Sequence, residues 1–146
     1  MAAKPSTGIP VETQCYLKNN TDVYVTLDSQ SYWHGYGQPP RSIQSQNEGH
    51  LKHIADDAGS IGGISYVLGN QIKWIVAWSN AEDQSNKVYT NILKASDVID
   101  WADIKANLGK SGNQSSVNNI NGFTSEVVID ATSPTPKLTA KLRQAI

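Results

Sequence analysis

From residue 13 onward the chain is written in short runs where apolar and polar side chains alternate, the period of a half-buried strand. Residues 13–18 put Cys15 and Leu17 on one face, Tyr16 and Lys18 on the other. Val23, Val25 and Leu27 alternate with Tyr24 and Thr26. Between the two runs stands Asn19-Asn20-Thr21-Asp22, whose side chains favour tight turns, so the pair is expected as a β-hairpin. Residues 64–68 and 72–78 flank Gly69-Asn70, a connection of hairpin type. In 72–78, Ile72, Trp74, Val76 and Trp78 share one face, and Ile75 and Ala77 the other. A strand apolar on both faces belongs inside a sheet covered on both sides. Residues 88–93 and 123–129 continue the pattern. Ile43 and residues 51–54 can each seed a short strand, and 138–146 reads as a last strand or as a helix.

The period changes once. Trp101, Ile104 and Leu108 lie on one face of a helix. Asp100 is placed as its N-cap, with Asp103 three residues on, and Gly109 as the residue that ends it. Elsewhere the pattern lapses. Residues 31–40 (Ser-Tyr-Trp-His-Gly-Tyr-Gly-Gln-Pro-Pro) hold too many breakers for a regular element. The glycines of 59–63 allow a bulge or a close approach of strands. Residues 110–122 are rich in Ser, Asn, Gln and Gly and read as a long exposed loop. Seven to nine strands at roughly ten-residue spacing with one short helix predict an all-β fold, an antiparallel β-sandwich. No internal repeat suggests a propeller or solenoid. Residues 1–12, with Pro5, Gly8 and Pro10, are expected as a flexible arm, and 13–146 as a single β-sandwich domain.

Composition narrows the partners. Twelve Lys+Arg against thirteen Asp+Glu leave a net charge of −1, and charged residues are 17% of the chain. The balance gives no electrostatic case for nucleic acid or an anionic membrane. One cysteine, Cys15, excludes an intrachain disulfide and a cysteine-based metal site. No secretory signal is visible in residues 1–10, and no run approaches the ~18 apolar residues of a membrane span. A cytoplasmic setting is the expectation. Sandwich edges with few guarding lysines leave a homodimer, through an edge or a sheet face, as an alternative to a monomer.

Candidate chemistry is sparse. His50 and His53 are three positions apart and would point to opposite faces of a strand, and His34 stands among aromatics. Cys15 falls on an inward face and reads as a small hydrophobe. Asp97, Asp100 and Asp103 suit a helix start. Asp56-Asp57 reads as a turn that could offer carboxylates to Ca²⁺, without the ordered spacing of an EF-hand loop. No nucleophile elbow, phosphate loop or dinucleotide motif is present. No enzyme activity, metal or cofactor is therefore expected.

The stretch that invites a ligand is Tyr32, Trp33, His34 and Tyr36, set beside Gly35 and Gly37. Aromatic rings with polar tips suit the C–H faces of a glycan, or a choline-type lipid headgroup held by cation–π attraction. The same rings would serve equally to cap one end of the core. Trp74, Trp78 and Trp101 fit core packing and helix anchoring.

Several segments together carry a family resemblance. Asn19-Asn20-Thr21, the run Gly59-Ser60-Ile61-Gly62-Gly63-Ile64-Ser65-Tyr66, then Trp74-Ile75-Val76-Ala77-Trp78-Ser79-Asn80 and Asn86-Lys87-Val88-Tyr89-Thr90-Asn91-Ile92 resemble the plant jasmonate-induced protein family. Asp100-Trp101 and residues 130–135 extend the likeness over about residues 15–142. The resemblance implies a stress- or wound-responsive intracellular plant protein, and it supplies no catalytic motif. The order of Asn-rich turn, Gly-rich strand and aromatic strand is also similar, more distantly, to aegerolysins. That likeness implies a compact β-sandwich that recognises membrane lipids, in some cases forming pores with a partner.

Overall fold

The computed structural model describes residues 9–144, and these hold ten strands and one α-helix. In chain order they are β1 (Glu12–Asn20), β2 (Val25–His34), β3 (Ser42–Ile43), β4 (Asn47–Ile54), β5 (Ser60–Leu68), β6 (Ile72–Asn80), β7 (Lys87–Lys94), α1 (Trp101–Gly109), β8 (Gln114–Ile120), β9 (Phe123–Ile129) and β10 (Lys137–Gln144). They build a sandwich of two five-stranded sheets. The first sheet has the order β4-β1-β10-β9-β8, the second β3-β2-β5-β6-β7. Neighbours are antiparallel, as expected, except β1 and β10, which run parallel with Gln14 opposite Lys137 and Asn20 opposite Arg143.

The faces follow the alternation. Cys15 and Leu17 of β1, Trp74, Val76 and Trp78 of β6, and Phe123, Val127 and Ile129 of β9 meet in the main core between the sheets. Ile75 and Ala77, on the other side of β6, lie beneath Ile104 and Leu108 of α1. The helix therefore covers the outer face of the second sheet over β6 and the edge strand β7. Asp100 caps it, its carboxylate accepting the Asp103 N–H at 3.1 Å. Gly109 is the last helical residue rather than a left-handed stop, because Lys110 closes the helix in a right-handed conformation.

Several expectations are corrected. The segments around Asn19–Asp22 are not a hairpin, since β1 and β2 lie in different sheets. The buried Asn19 amide donates to the carbonyls of Val23 at 2.9 Å and Ile43 at 3.0 Å, and its oxygen accepts the Thr21 hydroxyl at 2.7 Å. The polar cluster thus turns the chain across the sandwich. Residues 110–122 are not all loop, for β8 runs through them. As an outermost strand it pairs with β9 only, so it needs no apolar alternation, and its Ser115 hydroxyl accepts the Thr90 N–H of β7 at 3.1 Å. The expected arm lies for residues 1–8 outside the described part; Val11 donates its N–H to Pro134 at 2.9 Å.

Candidate functional site

The segment 31–34 is the end of β2, not a loop: the breakers take effect only from Gly35 onward. A register shift between Tyr32 and His34 makes Trp33 the extra residue of a bulge, and bulges re-aim side chains. The four singled-out side chains part company, Tyr32 and Trp33 through the strand's own alternation. Tyr32 turns inward, its ring edge-on to His53 with centroids 4.4 Å apart. Trp33 goes to the outer face, edge-on to Trp101 at 6.3 Å, with the Lys105 ammonium 5.7 Å from its centroid. There it helps to seat the helix. Gly62 and Gly63 permit this packing. A Cβ on Gly62 would lie 2.8 Å from the Tyr32 ring, and one on Gly63 would lie 2.6 Å from the Trp101 ring.

His34 and Tyr36 stay at the end of the sandwich. His34 Nδ1 lies 3.2 Å from an Asp56 oxygen. The same carboxylate accepts the backbone N–H of Ala58 at 2.8 Å and of Gly35 at 3.1 Å. These bonds, the Ala58 one foremost, hold the Asp56 carboxyl below its ordinary range. Asp56 is therefore committed to its turn and to the end of β2, and the described residues gather no group of three or more His, Cys, Asp or Glu suited to a metal. Tyr36 is 64% exposed. Its backbone is nonetheless fixed at the edge of β4, donating to the Ile54 carbonyl at 3.0 Å and accepting the Ile54 N–H at 2.7 Å. The bridge is reached through Gly35 at φ 95°, a left-handed conformation suited to glycine.

Beneath this end lies a nucleophile-and-base pair that sequence reading missed. His53 Nδ1 is 2.6 Å from the Ser60 hydroxyl, which also meets Thr13 Oγ1 at 2.8 Å and accepts the Trp78 indole N–H at 3.2 Å. All three polar residues are fully buried. No substrate can reach Ser60, so the cluster is core structure. His50, its strand neighbour, points outward, as the three-residue spacing requires. Cys15 is buried, and burial pushes its thiol pKa far up.

The opposite end of the sandwich has another character. The end of β1, the end of β8 and the connections after β1, β7 and β8 carry the exposed Val23, Tyr24, Val98 and Ile120 among Asn20, Asn119 and Asn121. None of the described helices is long and apolar enough to cross a membrane.

No protein-family model and no curated protein matches the chain by sequence. Solved structures share its fold. It is similar to the lipid-binding protein Nakanori over 93% of this chain and 72% of that one, with a TM-score of 0.83 and 14% identity. It is similar to the Xerocomus chrysenteron lectin XCL over 90% and 99%, with a TM-score of 0.60 and 14% identity. IP-1A from Alcaligenes faecalis matches over 92% and 91%, with a TM-score of 0.53 and 10% identity. At such identities the likeness is one of fold. The β-sandwich agrees with what the aegerolysin likeness implied for architecture, whereas the resemblance to the jasmonate-induced family gains no support.

Proposed function

We propose that this chain is a non-enzymatic binding protein that recognises a glycan or a lipid headgroup at the end of the sandwich where Tyr36 stands. One observation carries the reading: an exposed aromatic ring on a backbone locked by two hydrogen bonds to β4, beside the half-exposed His34–Asp56 pair. A fixed, exposed ring offers contact area at little ordering cost, and the neighbouring polar groups can meet hydroxyls. Trp33 and Tyr32 support this end from behind instead of touching the ligand. The lipid-binding and lectin names among proteins of the same fold are compatible with such a role.

The test is Tyr36→Ala. Its ring is outside the core, so the free energy of unfolding in urea should stay within ~0.5 kcal/mol of wild type. Binding to a glycan array, or to phosphocholine vesicles, should fall by at least the ~1 kcal/mol of an interface anchor. Unchanged binding in both formats removes the reading. A second reading, docking to a membrane surface, has its own observation in the exposed Val23, Tyr24, Val98 and Ile120 of the opposite end. Vesicle co-sedimentation lost in Val23→Ser/Tyr24→Ser but kept in Tyr36→Ala would favour it.

A further inference from the structure

The outer face of the first sheet is not covered by α1, and its charge is not that of the whole chain. The strands of that sheet contribute Lys18, Lys52, Lys137, Lys141 and Arg143 against Glu12, Glu48 and Glu126. That excess of two positive charges stands in a protein of net charge −1. The strand register then sets the cations around one ring. Gln14 lies opposite Lys52 on one side and Lys137 on the other. Tyr16, the next outward residue of β1, lies opposite His50 and Thr139, and Lys18 opposite Glu48 and Lys141. Tyr16 is thus the centre of a patch with Lys52, Lys137 and Lys141 at three corners.

The acids of the patch are already engaged. Glu48 lies 2.6 Å from His50 Nε2 and 3.8 Å from the Lys18 ammonium. Glu12 accepts from Gln14 Nε2 at 2.8 Å, and Glu126 pairs with Arg143. Among the described residues Lys52 has no anionic partner, whereas Lys141 stands opposite Glu126 in the register of β10 and β9. The Lys137 ammonium rests 4.7 Å from the Tyr16 ring centroid, and His50 meets that ring edge-on at 4.8 Å. A shallow hollow of about 280 Å³ opens here between β1 and β4, lined by Gln14, Cys15, Tyr16, His50, Leu51 and Lys52; Lys137 is not in its lining and stands beside it, over the Tyr16 ring.

We propose that this hollow is a binding site for an acidic saccharide, a sugar ring bearing a carboxylate or sulfate. Tyr16 is its platform, and Lys52 and Lys137 are the partners of its anionic group. Lys52 and Lys137 spring from strands two spacings apart, about 9.6 Å, so a ring with a charged substituent bridges them better than a bare anion does. Gln14 and His50 line the same hollow and can meet hydroxyls. The site lies on a sheet face and is independent of the reading given for Tyr36.

The test is calorimetric titration of the full chain with a short heparin-derived oligosaccharide and an oligogalacturonate, with cellohexaose and inorganic sulfate as neutral and bare-anion controls. An acidic oligosaccharide should bind, more weakly as salt rises, and Lys52→Gln/Lys137→Gln should lower its affinity by about tenfold or more. Tyr16→Ala should do likewise. Lys94→Gln/Lys110→Gln, which removes the same charge elsewhere, and Tyr36→Ala should leave the affinity unchanged. In the wild-type protein the imidazole resonances of His50 should shift on saturation, a readout independent of any variant's folding. The proposal is overturned by absent binding, by equal binding of cellohexaose or sulfate, or by equal loss in the Lys94/Lys110 control. Unmoved His50 resonances overturn it too.

Discussion

His53 should make the protein progressively less stable as pH falls from about 6.5 to about 4. Burial pushes its imidazole pKa down from 6.5 to about 4, against a smaller opposing pull from the Asp56 charge. The hydrogen bonding agrees. The Ser60 oxygen accepts the Trp78 N–H, and a neutral His53 can take the Ser60 proton at Nδ1. In that neutral tautomer the ring's own N–H sits on Nε2, which is buried without a partner; charging the ring would add a second N–H, at Nδ1, and turn the acceptor of the Ser60 proton into a donor. Above pH 6.5 the ring is neutral in both states and stability is at its full value. Below that the unfolded chain takes up a proton that the native protein refuses until about pH 4, so stability drains away across the window. A shift of this size at about 1.4 kcal/mol per pH unit amounts to about 3 kcal/mol in total. Urea unfolding at steps from neutral to mildly acidic pH measures the loss, and NMR of the imidazoles reads the native pKa directly. His53→Gln should flatten the curve across this window, leaving only the carboxylate-linked loss at lower pH. A His53 resonance titrating near 6.5, or the same pH slope in His53→Gln, would refute the reasoning.

Other expectations follow from the core and its closures. Trp74→Ala should cost about 3–5 kcal/mol in urea unfolding, since the ring is fully buried and its N–H is held by Ser125 at 2.8 Å. Trp74→Phe should cost less, because Ser125 keeps Thr90 at 2.6 Å as a partner. Gly35→Ala should destabilise by about 2 kcal/mol or more, because φ is 95° and the added carbon would lie 2.6 Å from the His53 ring; a neutral result would mean that the β2–β4 bridge is loose. Cys15 should resist thiol reagents in the native protein and react at a rate set by unfolding, and rapid labelling in native buffer would contradict its burial.

The sandwich was legible wherever a strand has one wet and one dry face. Cys15 and Leu17, the two faces of β6 and the stripe of α1 all announce themselves by period alone. The expectation faltered where pairing partners decide the conformation. β8, Gln-Ser-Ser-Val-Asn-Asn-Ile, has the composition of a loop and is a strand because β9 offers it a ladder. Tyr32 and Trp33 look like one aromatic cluster in sequence, and because both lie in β2 the strand's alternation sends them to opposite faces. The surface around Tyr16 was hidden for a related reason. A balanced count of charges says nothing about where they lie, and only the register of β4, β1 and β10 gathers Lys52, Lys137 and Lys141. The His53–Ser60 contact joins residues seven positions apart across a turn, with no motif to mark it.

The parallel seam between β1 and β10 bears on how the protein folds. Gln14 meets Lys137 across nearly the whole described chain, so the first sheet joins its earliest strand to its last. Closing so large a loop comes late, after the locally connected β5, β6 and β7 have paired. During synthesis β1 can find β4, but its other edge stays open until Lys137–Gln144 has emerged. Slow refolding is expected, with the second sheet protected against hydrogen exchange before the first, and a chain cut before Pro136 should expose an unpaired strand edge prone to aggregation.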